Sequence, residues 1–178
     1  MKKYIFMLLF LPALLLLTAC STTVSSLESV GLDGLSGKEI LTGVANGTIE
    51  IDGFGLSVYD DELIVIIDDE RISVDMPNDE FYVSIAPYTD LTHDCTFHSA
   101  TGCSGELKSQ TFFVEYIDTD GNVIISENID TMANGFFDLW LPRNVEGTMT
   151  ITQGEFVATK TLTTYAGDPT CETTMQLQ

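Results

Sequence analysis

Positive charge is scarce in this sequence, which has 7 lysines and arginines against 27 acidic residues and a formal net charge of −20. Proteins that bind nucleic acids or anionic membrane surfaces through charge need clusters of basic residues. The composition therefore argues against both modes of binding and predicts no nucleic-acid partner. The excess of acid favours solubility, and it raises the local concentration of cations.

Histidine is also scarce, because the chain has only His93 and His98, and both lie beside cysteines. No Ser-His-Asp order, phosphate-binding loop or HExxH pattern is present, so the sequence predicts none of the corresponding enzyme mechanisms. A cysteine-protease pair of Cys95 and His98 is a weak hypothesis. A nucleophile and its base usually meet through the fold, not across three residues of one loop.

The N-terminal apolar run, residues 4–17, is too short for a comfortable membrane span. It follows two lysines and precedes Leu17-Thr18-Ala19-Cys20, which fits a bacterial lipobox. We predict a lipoprotein signal peptide over residues 1–19 and lipidation of Cys20; the alternative is an ordinary secretory signal. Cleavage leaves 5 basic and 27 acidic residues, a charge of 5 − 27 = −22. In a Gram-negative cell envelope, Ser21 after the cysteine favours an anchor in the outer membrane, facing the periplasm.

The rest of the chain predicts a mainly β (α+β) protein. After a flexible tether over residues 20–26, Ser36 and Glu39 form a capping box for a short helix from Gly37 to Ala45. Alternating strands then recur with turns every 8–12 residues, which is typical of an antiparallel β-sandwich or barrel. We predict a smaller N-terminal α+β portion over residues 27–78 and a β-rich C-terminal domain over residues 79–178.

Two patterns in the second half have ordinary structural interpretations. Residues 118–122 (DTDGN) resemble a calcium loop, but the glycine is not at the sixth position and Ile129 stands where the bidentate glutamate belongs. Flanking strands instead favour a hairpin turn. The aromatic run of residues 136–140 favours core packing over a binding platform.

Three cysteines remain once Cys20 is assigned to lipid: Cys95, Cys103 and Cys171. An odd number in an exported protein leaves at least one thiol unpaired within the monomer. Thiolates beside imidazoles suit soft Cu(I) or Zn(II), so a metal site is one explanation. A disulfide, Cys103–Cys171 or Cys95–Cys103, with a buried third cysteine is another, and thiol redox catalysis is a third. These explanations overlap, because a reduced thiol pair that binds copper can also be oxidised.

The spacing allows all three sulfurs to meet. The polar segment between Cys95 and Cys103 can fold back on itself, and Cys171 precedes a predicted final strand over residues 173–177 that brings it to the site. His98 is a candidate nitrogen ligand, and His93 and Met175 are further metal candidates. Ligand types alone leave both copper and zinc open.

Several segments together resemble the CueP family of periplasmic copper-binding proteins. They are FYVSIAPY (81–88), THDC (92–95), HS (98–99), TGCSGEL (101–107), NGF (134–136), LWLPR (139–143), EGT (146–148) and CETT (171–174). The likeness runs from about Leu32 to Leu177 and is loose before Asn78. Cys95, His98, Cys103 and Cys171 match the three cysteines and one histidine of the family pattern one for one.

The resemblance implies a two-part fold and a copper-binding protein. Family members are linked to copper resistance and are thought to sequester copper and to pass it to a periplasmic copper/zinc superoxide dismutase. It further implies a homodimer, contact with thiol–disulfide oxidoreductases and reduction of Cu(II) by the cysteines. The predicted lipid anchor and the strong acidity depart from the family pattern. A lipid anchor would prevent free diffusion to a client, and the strong acidity would change any partner surface that depends on charge.

Overall fold

A computed structural model describes residues 26–178. The predicted signal peptide and Cys20 lie outside the described residues, and Ser26, predicted as tether, already belongs to a helix. The helices are α1 (Ser26–Ser29) and α2 (Gly37–Ala45). The strands are β1 (Gly55–Val58), β2 (Glu62–Ile67), β3 (Glu70–Asp75), β4 (Glu80–Ile85), β5 (Thr111–Asp118), β6 (Val123–Asp130), β7 (Phe137–Pro142), β8 (Glu146–Gln153), β9 (Phe156–Thr163) and β10 (Cys171–Glu172). In this part of the chain, no helix is long and apolar enough to cross a membrane.

The predicted helix and its cap are confirmed. The Ser36 hydroxyl accepts the backbone N–H of Glu39, and the Glu39 carboxylate accepts the backbone N–H of Ser36 at 2.8 Å. These bonds satisfy N–H groups that the first helical turn leaves free. The helix buries Ile40 and Leu41 in the core of the N-terminal part.

Three sheets confirm the mainly β prediction. Strands β1, β2 and β3 form one antiparallel sheet in that order, and the four-stranded antiparallel sheet has the order β6-β5-β8-β9. Between β5 and β6, the Asp118 carboxylate accepts the backbone N–H of Asn122 at 2.7 Å. Residues 118–122 are therefore a hairpin turn, as the sequence indicates.

The third sheet, in the order β10-β4-β7, carries the end of the chain. Strand β10 runs parallel to β4, with Cys171 opposite Ser84. The predicted final strand over residues 173–177 is wrong in its position. The strand is Cys171–Glu172; beyond it an isolated bridge joins Gln176 to Tyr88, and Gln178 exchanges backbone hydrogen bonds with Val157.

The two faces of β4 join the two halves of the molecule. Phe81, Val83 and Ile85 belong to the core shared with the four-stranded sheet. Tyr82, between them in sequence, packs into the N-terminal core and lies 5.1 Å from the Trp140 ring. Successive side chains of a strand point to opposite faces, so the β10-β4-β7 sheet contributes to both cores.

Candidate metal centre

The segment that carries the predicted ligands is attached to the edge of β1. The backbone N–H of Val58 donates to the His98 carbonyl at 2.8 Å. Two residues earlier on the strand, the backbone N–H of Leu56 donates to the Thr101 hydroxyl at 3.1 Å. The N-terminal sheet therefore fixes the position of the loop that carries His98, although this loop belongs to the C-terminal half of the chain.

Thr170 connects this loop to the last strand. Its buried hydroxyl accepts the backbone N–H of His98 at 3.0 Å and donates to the Val58 carbonyl at 2.6 Å. Through this one hydroxyl, Thr170, which directly precedes Cys171, is bonded to both β1 and His98. Sequence reasoning missed this residue, because a threonine in a turn after Asp168 and Pro169 carries no signal of a long-range contact.

A tight turn presents Cys103. The backbone N–H groups of Gly102 and Cys103 donate to the Ser99 carbonyl at 3.1 and 2.9 Å. The Ser99 N–H in turn lies 3.4 Å from the Cys103 sulfur. The polar segment between Cys95 and Cys103 folds back on itself, as the sequence predicts.

The three cysteines meet, but their pairing differs from both pairings considered at the sequence level. Cys95 forms a disulfide with Cys171, with their Cα atoms 5.6 Å apart, and Cys103 is free. The pairing follows from the path of β10, because the backbone N–H of Cys171 donates to the carbonyl of Thr96, next to Cys95, at 3.2 Å. The free Cys103 sulfur lies 3.8 Å from the Cys95 sulfur.

His98 is buried against these sulfurs. Only 1% of its surface is exposed, and its Nδ1 lies 3.7 Å from the Cys171 sulfur. Burial, with a smaller contribution from His93, lowers the pKa of His98 to about 4. The imidazole is therefore neutral at neutral pH, and neutral imidazole is the form that binds metals.

Two sets of ligand atoms can each surround one ion. Nitrogen or sulfur atoms of His98, Cys103 and Cys171 lie within 4.8 Å of one another, and so do those of His93, Cys95 and Cys103. Ligand atoms about 2.3 Å from a common ion in a trigonal arrangement lie about 4 Å apart. The separations of 3.7 and 3.8 Å fit that spacing. The disulfide must be reduced before Cys95 and Cys171 can bind as thiolates.

The other candidates differ in their surroundings. His93 is exposed and belongs to the second of these sets. Met175 is buried in the core shared by β4 and the four-stranded sheet, whereas Cys171 packs in a separate small cluster with Phe136. The structure therefore brings His93 to the cysteines and packs Met175 elsewhere.

A cavity of about 460 Å³ reaches the inner side of the site, where it is bordered by His98, Cys103 and Asp138. Asp138 accepts the Ser84 hydroxyl at 2.6 Å, and burial raises the pKa of its carboxyl. Sequence reasoning missed Asp138, because it lies in a strand whose neighbours all favoured core packing.

Comparison with known proteins identifies relatives of this arrangement. The model of the CueP family, described as periplasmic copper-binding protein CueP, matches residues 46–176. The solved structure "Crystal Structure of S.CueP" is similar at a TM-score of 0.78 and 31% identity, over 85% of this chain and 96% of that chain. No curated protein sequence is significantly similar to the chain.

Proposed function

Because the chain belongs to the CueP family of periplasmic copper-binding proteins, we propose that it binds Cu(I) through Cys103, Cys171 and His98, with Cys95 beside them. The single observation that carries this proposal is the convergence of three cysteine sulfurs and a buried neutral imidazole. Thiolates are soft ligands, and soft ligands select Cu(I). Zn(II) takes the same residue types, so metal competition belongs in the test.

We propose that the bound copper is sequestered and then passed on, which would contribute to copper resistance. The inner ligands His98 and Cys171 are both buried, which favours retention of the ion over exchange with solvent. The same proposal includes two kinds of partner, a superoxide dismutase and thiol–disulfide oxidoreductases, and a homodimer. It also includes a domain boundary at residue 79 and a lipid anchor on Cys20 at the outer membrane. An anchored protein would require clients that come to the membrane.

A thiol redox function is the second candidate, and the disulfide beside a free thiol favours it. Two thiols of the reduced protein can give one electron each to two Cu(II) ions. The products are two Cu(I) ions, one Cys95–Cys171 disulfide and two protons. Cys103 remains a thiol, and with only one thiol left in each ligand set the two Cu(I) ions are expected to leave the protein. Turnover in this scheme needs an external thiol reductant.

The test uses the purified protein, reduced and freed of reductant under anaerobic conditions. Cu(I) is added, and bound copper is measured by metal analysis after gel filtration, with Zn(II) as competitor. We expect tight binding in the native protein and none after replacement of Cys95, Cys103 and Cys171 by serine. Unchanged copper stoichiometry in the triple variant would contradict the proposal. Repeated Cu(II) reduction in excess reductant, instead of a single burst, would favour the redox candidate.

A further inference from the structure

The two ligand sets share one sulfur and differ in their access to solvent. Cys103 belongs to both. The outer set adds His93, which is exposed, and Cys95, which is half-buried. The inner set adds His98 and Cys171, whose exposed fractions are 1% and 3%. An ion arriving from solvent on the His93 side therefore meets the outer set first.

We propose that His93, Cys95 and Cys103 form a capture position for Cu(I), from which Cys103 passes the ion to the inner position. This inference rests on the proposed copper function and deepens it, since it assigns an order to the ligands. His93 is then a ligand of the arriving ion, and His98 is a ligand of the stored ion.

His93 is suited to this role because its backbone is fixed while its ring is accessible. Its carbonyl accepts the Thr173 hydroxyl at 2.6 Å, and the Thr92 hydroxyl donates to the Thr173 carbonyl. The residues after β10 thus hold the His93 backbone beside the cysteines. A surface depression of about 340 Å³, bordered by His93, Ser104 and Glu106, leaves the ring open to solvent.

Transfer between the positions requires only ligand replacement. Cys103 stays bound as a thiolate, the His93 nitrogen and the Cys95 sulfur leave the ion, and the His98 nitrogen and the Cys171 sulfur replace them. The Cys171 thiol loses one proton and the Cys95 thiolate gains one, so no net proton is released in this step. Copper remains Cu(I), and no electron moves.

The disulfide affects both positions at once. It joins Cys95 of the outer set to Cys171 of the inner set and leaves only the shared Cys103 as a thiol. Each set then retains one thiol and one histidine. Oxidation is therefore expected to weaken both capture and storage strongly, and reduction is expected to restore them together.

The cavity beside Asp138 offers a competing route, because His98 and Cys103 also border it. If the ion arrived through this cavity, His93 and Cys95 would not affect loading. The two routes therefore make opposite predictions about variants of the outer set.

The experiment measures the rate and the equilibrium of loading separately. A coloured Cu(I)–chelator complex is mixed with the anaerobically reduced protein in a stopped-flow instrument, and competition with the same chelator gives the affinity. We expect His93→Ala and His93→Gln to load Cu(I) at least about tenfold more slowly, with an unchanged equilibrium affinity. We expect His98→Ala to capture Cu(I) at the native rate but to bind it about tenfold or more weakly at equilibrium. Val123→Ala, at an exposed position of β6 that borders neither the depression nor the cavity, is the control and should load at the native rate.

The cysteine variants give a second, independent test. Cys171→Ser keeps the outer set and should capture Cu(I) quickly but hold it weakly. Cys95→Ser keeps the inner set and should load slowly but bind tightly. Native loading rates in both His93 variants and in Cys95→Ser would overturn the inference. Failure of the native protein to bind Cu(I) would instead overturn the proposed function.

Discussion

The sulfur of free Cys103 lies 3.8 Å from the sulfur of Cys95, which is bonded to Cys171. The three cysteines therefore meet in one place even with the disulfide formed. Reduction needs to break only one bond to supply the thiolates for both ligand sets. The redox state of this single bond is thus expected to control copper binding.

Reduction of the disulfide should lower the stability of the metal-free protein. The bond closes a loop between residues 76 positions apart, and removal of such a link typically costs about 4 kcal/mol through the entropy of the unfolded chain. Urea unfolding of the oxidised and the reduced protein measures the difference. Saturating Cu(I) should restore stability to the reduced protein, because the ion binds the folded state.

The control for this prediction is the double variant Cys95→Ser/Cys103→Ser, which leaves Cys171 without either neighbouring thiol and so cannot form a disulfide at this site. Its stability in the absence of metal should match that of the reduced native protein and should not respond to reductant. Equal unfolding free energies for the oxidised and reduced native protein would contradict a stabilising bond in this position.

Thr170→Val should weaken copper binding without removing any ligand. The variant loses the hydroxyl that bonds the His98 N–H and the Val58 carbonyl, and leaves two buried backbone groups unpaired. We expect a loss of about 1–3 kcal/mol in unfolding free energy. Misplacement of His98 and Cys171 should also lower Cu(I) affinity by about tenfold.

Thr170→Ser keeps the hydroxyl and is the matched control. It should retain native affinity and most of the native stability. A Thr170→Val protein with native Cu(I) affinity would show that this hydroxyl does not position the ligands.

The burial of His98 should make the metal-free, oxidised protein less stable in acid. The pKa of the imidazole is about 4 in the folded state and 6.5 in the unfolded state. Between these values the unfolded chain binds a proton that the folded protein does not, so stability falls as pH decreases from 6.5 to 4. Below pH 4 the buried imidazole destabilises the folded protein by about 3 kcal/mol, and above pH 6.5 this destabilisation is absent.

Urea unfolding at several pH values measures this slope, and His98→Gln separates it from the titration of carboxyl groups. The variant should lose the part of the slope that lies between pH 4 and 6.5. An identical pH dependence in the native protein and the variant would show that His98 is not buried in its neutral form.

The local features of this fold could be predicted from the sequence, whereas the long-range ones could not. Ser36 and Glu39 identify the helix start because a capping box acts within four residues. The hairpin at residues 118–122 follows equally from adjacent residues. The convergence of Cys95, Cys103 and Cys171 was expected from their chemistry and from the family resemblance.

The disulfide pairing could not be predicted, because it depends on how β10 lies beside Thr96. The role of Thr170 depends on the same contact, and its sequence neighbours give no sign of it. The division of the ligands into an exposed and a buried set is likewise a property of the packed structure. His93 and His98 are close in sequence but differ completely in exposure.

The most direct test of the account is a competitive Cu(I) titration of one protein sample in two states, with the Cys95–Cys171 disulfide intact and after its reduction. The two ligand sets share Cys103, so we predict one tightly bound Cu(I) per reduced chain. We predict an affinity lower by about a hundredfold or more in the oxidised chain, where each set has lost a thiolate. Equal affinities in the two states would contradict a site built from these three cysteines.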